Sequence, residues 1–206
     1  METPLTVVYT HGIQGDLHLL PSLNTFIRQL RRDIPGRSYL IDLGMSCAPD
    51  VWPCDVTDGR AALVALDAMG YDVANVSDVL DAGSRDRLLE QVMLALVDDV
   101  HHHIAQGVAF IANETSAMPH DDIDLYVIMS PASETRLARS VLWLERISAG
   151  QVGVVRIEGT LVYRDIYILP SGTPPDATIA GAVDFIESEA RYFEKRRDQH
   201  RSNGSP

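Results

Sequence analysis

The run Leu5 to His18, LTVVYTHGIQGDLH, limits the folds open to this chain more than any other stretch. Leu5 to Tyr9 is apolar and β-branched, strand-length, and reads as a buried first strand. It breaks into a polar loop, Thr10 to His18, punctuated by Gly12 and Gly15. In open α/β sheets the loop at the carboxyl end of such a strand is where ligands sit.

The residues that follow extend the same pattern. Pro21 to Arg32 places Leu23, Phe26, Ile27 and Leu30 on one face of a helix. Pro21 suits its first turn, and Arg28, Arg31 and Arg32 suit the negative end of its dipole. A Pro35-Gly36 turn leads to a second strand, Tyr39 to Leu43, ending Asp42-Leu43-Gly44-Met45. After a loop rich in Pro, Cys and Asp, Thr57 or Asp58 caps a helix that runs to Met69 and closes at Gly70. Val73 to Val76 is a third strand. Strand, helix, strand, helix, strand at this spacing is a parallel βαβαβ unit.

Further on, Ser84 is expected to cap a helix to about Val100, with Leu88, Leu89, Val92, Leu96 and Val100 as its stripe and His101, His102 and His103 at its end. Val108 to Ala112 and Leu125 to Met129 are strands, separated by a loop containing Pro119, His120, Asp121 and Asp122. From Ser140 the runs SVLWLERI, VGVVRI and LVYRDIYIL, joined by short turns, read as an antiparallel meander. Asp176 to Arg197 is a closing amphipathic helix. The expected fold is α/β, with two packed β-sheets flanked by helices, a parallel N-terminal half and an antiparallel C-terminal half. It forms a single domain over 1–198, with a disordered tail over 199–206.

The net charge of −12 and the pI near 4.8 argue against nucleic acid as a partner, because a phosphate backbone is repelled. No apolar run is long enough to span a membrane and no leader pattern opens the chain, so the expectation is a cytoplasmic protein. Cys47 and Cys54 make no disulfide framework and fit a reducing compartment, read as buried thiols. There is no G-x-S-x-G elbow, no P-loop and no dinucleotide fingerprint.

Several of these residues resemble the metallophosphoesterase (calcineurin-like) family, and most closely the catalytic domain of the 5′-nucleotidases. Thr10-His11-Gly12-Ile13-Gln14-Gly15-Asp16 stands where that family has T-N-D-I-H-G-H. Asp42-Leu43-Gly44-Met45 stands where it has D-A-G-D. Gly59 to Asp72, GRAALVALDAMGYD, is similar to the family's GEAVVEALNALGYD. The resemblance implies an αββα sandwich and a reaction at two adjacent divalent metals, which polarise a phosphoryl group and supply hydroxide. The same comparison places Gly12 and Gln14 at the first two ligand positions and Met45 at the metal-bridging aspartate. Ser77-Asp78-Val79-Leu80 falls on G-N-H-E, and Pro131 on a later histidine ligand. Glycine, methionine, valine and proline do not coordinate hard cations.

The expectation is therefore a degenerate copy, metal-free and non-catalytic, acting as a binding or structural module for a small ligand, a protein partner or a second copy of itself. His11, Gln14, Asp16, His18, Asp42, Ser77 and Asp78 are the ligand-binding candidates, and Ser46 and Asp50 lie in the same loops. One alternative is a phosphoesterase of the 5′-nucleotidase type with a rebuilt zinc or manganese site. That site would draw on His11, Asp16, His18, Cys47 and Cys54, with Asp78 nearby. The other alternative is a thiol-based zinc or redox module at Cys47 and Cys54.

Overall fold

The computed structural model describes residues 4–116 and 122–203. The loop residues Pro119, His120 and Asp121 and the last part of the expected tail, residues 204–206, lie outside the described residues.

Two mixed sheets make the body of the fold. In the first, β1 (Leu5–Thr10), β2 (Arg37–Asp42), β3 (Val73–Asn75) and β4 (Ala95–Val97) run parallel, and β10 (Gln151–Glu158) and β11 (Leu161–Ile168) extend it antiparallel, in the order β11-β10-β1-β2-β3-β4. In the second, β5 (His103–Ala105), β6 (Val108–Ile111), β7 (Leu125–Ala132), β9 (Val141–Glu145) and β8 (Arg136–Ala138) lie in the order β5-β6-β7-β9-β8. The helices are α1 (Leu20–Arg32), α2 (Arg60–Ala68), α3 (Ala82–Leu89) and α4 (Ala177–Asn203).

Alternation along β1 creates both cores. Val8 points to the helices and packs with Leu23, Ile27, Leu63, Leu66, Leu88 and Val183, which come from all four helices. Leu5, Val7 and Tyr9 point the other way and meet Phe110, Val127, Met129, Leu142 and Leu144 of the second sheet. Tyr9 lies opposite Gly153 of β10, where a Cβ would come within 2.1 Å of its ring. That glycine serves packing rather than a phosphate loop.

The helix expected from Ser84 to Val100 ends at Leu89, and its cap is Asp81, whose carboxylate accepts from the Ser84 amide at 2.7 Å. Leu94, Leu96 and Val97 belong instead to a short buried strand region held by β3. His101 to His103 consequently leave a loop and open β5; they do not end a helix. The C-terminal antiparallel pairing is carried by the β10–β11 hairpin, whereas the run at 141–145 joins the second sheet, parallel to β7. α4 continues past residue 198 to Asn203, into the stretch expected to be a tail. Among the described residues no helix is long and apolar enough to cross a membrane.

Cys47 and Cys54 are joined as a disulfide, which corrects the expectation of free thiols. A seven-residue separation says nothing of whether a loop folds back on itself; the turn through Pro49 and Pro53 brings the two Cα atoms to 5.7 Å. The Trp52-Pro53 peptide bond is cis.

Candidate functional site

The loops after β1 and β2 leave the sheet side by side and are zipped to each other by backbone hydrogen bonds. Leu43 N donates to Thr10 O, Gly12 N to Gly44 O, Gln14 N to Met45 O and Gly15 N to Ser46 O, at 2.8–3.0 Å. Gly12, Gly15 and Gly44 take positive φ, and so do two residues with side chains, Gln14 (φ 56°) and Met45 (φ 54°). Non-glycine residues held there carry backbone strain, which tends to collect at ligand sites. Gln14 and Met45 side chains are exposed, and a Cβ built on Gly12 meets nothing within 4 Å.

His11 is buried and ties this loop to the second sheet through Nδ1, 2.8 Å from the Ile147 carbonyl oxygen. Asp42 lies at the end of β2 with no exposed surface. Its Oδ1 accepts from the Thr10 hydroxyl at 2.9 Å and its Oδ2 from Gly44 N at 3.1 Å. Thr10 Oγ1 also meets the Tyr71 hydroxyl at 3.0 Å. Burial pushes the Asp42 carboxyl up to about 7, against the two hydrogen bonds that favour its charged form. Burial and the adjacent Asp42 raise the Tyr71 phenol as well. Thr10 and Tyr71 are not among the sequence candidates; their signals are the place of Thr10 at the head of the first loop and the Gly-Tyr-Asp turn after α2.

The remaining candidates disperse. Asp16 is exposed and caps the short turn at Leu17–Leu19. His18 is exposed and faces Glu187 of α4 at 3.2 Å. Asp50 is exposed in the disulfide loop, and Ser46 is fully buried with a hydroxyl that lacks a partner among the described residues. Ser77 belongs to a polar chain across the strand ends. Its hydroxyl donates to Asn75 Oδ1 at 2.9 Å and approaches Asp99 at 3.4 Å, and Asn113 Nδ2 donates to Asp99 at 2.6 Å. Asp78 instead lines a separate cavity of about 270 Å³ with Asp55, Asp58, Asp81 and the disulfide.

The donor set does not fit a pair of hard cations. Gly12, Met45, Val79 and Pro131 offer no oxygen or nitrogen side-chain donor, one ring nitrogen of His11 is taken up by a carbonyl, and both sulfurs are bonded to each other. Among the described residues no three His, Cys, Asp or Glu side chains come together as a metal-holding group. Pro131 lies in an irregular stretch of the β7–β9 pairing, between Ile128 and Ala132, a place where a residue without an amide hydrogen is tolerated. What this surface presents is exposed Gln14 and Met45 on the two zipped loops, with Asn75, which heads the Ser77–Asp99–Asn113 chain, donating to Leu43 O at the foot of the second loop.

The same arrangement of layers is found in the Thermus thermophilus sulfate thiohydrolase SoxB in complex with glycerol, at a TM-score of 0.58 and 9% identity. The fold is metallophosphatase-like. The match covers 90% of this chain and 60% of that one, so the chain spans less than two thirds of the length of SoxB. A second solved structure matches with a TM-score of 0.53 at 7% identity, over 81% of this chain and all of that one. No protein-family model and no curated protein matches the chain in sequence. The likeness therefore rests on backbone arrangement, and it gives the fold without giving the reaction.

Proposed function

We propose that this protein is a non-catalytic member of its fold, a metal-free module that binds a small ligand or a partner at the surface of the loops after β1 and β2, hereafter the cleft. One observation carries the reading. The backbone scaffold of a ligand-holding loop pair is present, zipped and strained at Gln14 and Met45, while the side chains at the positions a dinuclear centre would need carry no hard donor. A strained, pre-formed loop pair suits binding, whereas a two-metal displacement needs charge at both the attacking and the leaving oxygen. The test is hydrolysis of p-nitrophenyl phosphate and nucleoside monophosphates with Mn²⁺, Co²⁺ or Zn²⁺. The expected outcome is no turnover above buffer. Turnover that disappears on chelation, and again in a His11→Ala or Asp78→Ala variant, overturns this reading in favour of a phosphoric-ester hydrolase with a rebuilt site.

A second reading has its own observation, the Cys47–Cys54 bond at the wall of the cavity that holds Asp78. A redox module there predicts that glutathione buffers reduce the bond reversibly and that ligand binding at the cleft changes with it. A bond that stays closed under those buffers removes the redox reading and leaves a structural staple.

A further inference from the structure

A second groove lies on the helix side of the first sheet, toward the N-terminal end of β1 and away from the cleft. The C-terminal end of α1 stops short of β10 and β11 there and leaves a cavity of about 490 Å³, within the size range of small-molecule sites. Its floor is a cross-strand row, Thr6 of β1, Arg156 of β10 and Tyr163 of β11. Thr6 is 1% exposed, and its hydroxyl has no hydrogen-bond partner among the described residues. Arg156 Nε, beside it, is buried and equally unpartnered, although the same guanidinium pairs with Glu158. A buried polar atom left without a partner costs stability. Thr6 and Arg156 are cross-strand partners that both line this cavity, with these two atoms just beneath its floor, so a ligand whose acceptor oxygen seats there and draws the side chains toward it would satisfy both.

The walls define the rest of the ligand. Alternate residues of β11 share a face, so Tyr163, Asp165 and Tyr167 all look into the groove. Asp165 is exposed between the two rings, and Asp33 stands across from it at the end of α1. Three carboxylates, of Asp33, Glu158 and Asp165, stand against one guanidinium, so the local field favours a cation and disfavours a negatively charged acceptor. Tyrosine faces add to the attraction for ammonium or guanidinium groups.

We propose that this groove binds an organic cation that carries a neutral carbonyl. The carbonyl oxygen accepts from Thr6 Oγ1 and Arg156 Nε, and the ammonium or guanidinium group sits at Asp165 between Tyr163 and Tyr167. Amino-acid amides and basic peptide segments share this chemistry. The test is isothermal titration and saturation-transfer NMR of the full chain. The probes are L-lysinamide, L-argininamide and a capped lysine tetrapeptide, with butylammonium, acetamide and acetate as controls. Saturable binding of the amides or the peptide, at least tenfold tighter than any control, is expected; whichever of the two binds tighter names the source. Thr6→Val and Asp165→Asn should each weaken it at least tenfold, and Thr6→Val should raise the Tm of the unliganded protein by removing a buried unpaired hydroxyl. Asp165 is on the surface, so its variant folds even if the Thr6 variant does not. Acetate binding as well as lysinamide, binding unchanged in Asp165→Asn, or no saturable binding at millimolar probe overturns the proposal. Met45→Gly, in the distant cleft, should leave this binding untouched, which separates it from the reading of the cleft.

Discussion

Two stretches of this chain resemble the same family, and the structure uses them differently. From Arg60 to Asp72 nearly every side chain has a task. Leu63 and Leu66 are fully buried among the helices, Gly70 takes φ 77° to end α2, Tyr71 reaches the Thr10 hydroxyl, and Asp72 accepts from Leu40 N at 2.7 Å. From Gly12 to Met45 the tasks of the loop residues fall to the backbone, through the zip between the two loops. Gln14 and Met45 side chains are exposed and Gly12 has none. A helix and turn that pack the sheet are constrained by burial. An exposed loop side chain has no such constraint, and the fold tolerates almost any residue there.

That contrast can be broken most strongly at Leu66. Leu66→Ala removes fully buried volume between α2 and the sheet and should cost roughly 2–5 kcal/mol in urea unfolding. A loss under about 1 kcal/mol would mean that α2 is not the packing anchor described.

The next effect is a pH dependence at Asp42. The unfolded chain releases this proton near 3.8, and the folded protein holds it to about 7. Between those values the folded state binds more protons, so stability should fall as pH rises from about 4 to 7 and level off above, by up to about 4 kcal/mol. Asp42→Asn keeps the shape, its amide donating to Thr10 and its carbonyl accepting from Gly44, and should flatten that part of the stability curve. The same slope in wild type and variant would place the titration elsewhere.

The smallest effect is expected in the loops. Gln14→Gly and Met45→Gly relieve left-handed strain while loosening the unfolded chain, two opposing changes. Each should leave stability within about 0.5 kcal/mol of wild type and lower affinity for any ligand of the cleft. A loss approaching that of Leu66→Ala would show that these side chains pack, and the contrast between the two stretches would fail.

The parts of the fold that read directly from sequence are those whose signal is local. α1 and α2 show their apolar faces at helical spacing, and β1 and β2 show buried runs between turn residues. The stretch from Leu88 to Val100 misleads because a helix end, a three-residue strand and exposed Leu89 and Val100 together mimic one apolar stripe. Only pairing with β3 makes Leu96 and Val97 a strand. The run at 141–145 is as strand-like as its neighbours in sequence, but which sheet it enters is set by β7. Of the ligand-binding candidates, the structure employs His11 and Asp42 as buried ties between elements; for Asp42 this is the capping and turn-bonding role that the resemblance gives an aspartate at that position. Asp16 and His18 turn toward the helices, and Asp78 faces a different cavity.

By itself the sequence determined the order of the first strands and helices, the glycine-broken loops between them, and the absence of a metal-ligating side chain at Gly12, Met45, Val79 and Pro131. These are properties of individual residues and of short-range periodicity. Only the tertiary structure decided that Cys47 meets Cys54, that Asp42 is buried with Thr10 and Tyr71, and that Thr6 and Arg156 share the floor of a groove. Each depends on contacts between segments far apart in the chain or on how a loop folds back, and burial, which shifts a carboxyl or leaves a donor unpaired, exists only once those segments have packed.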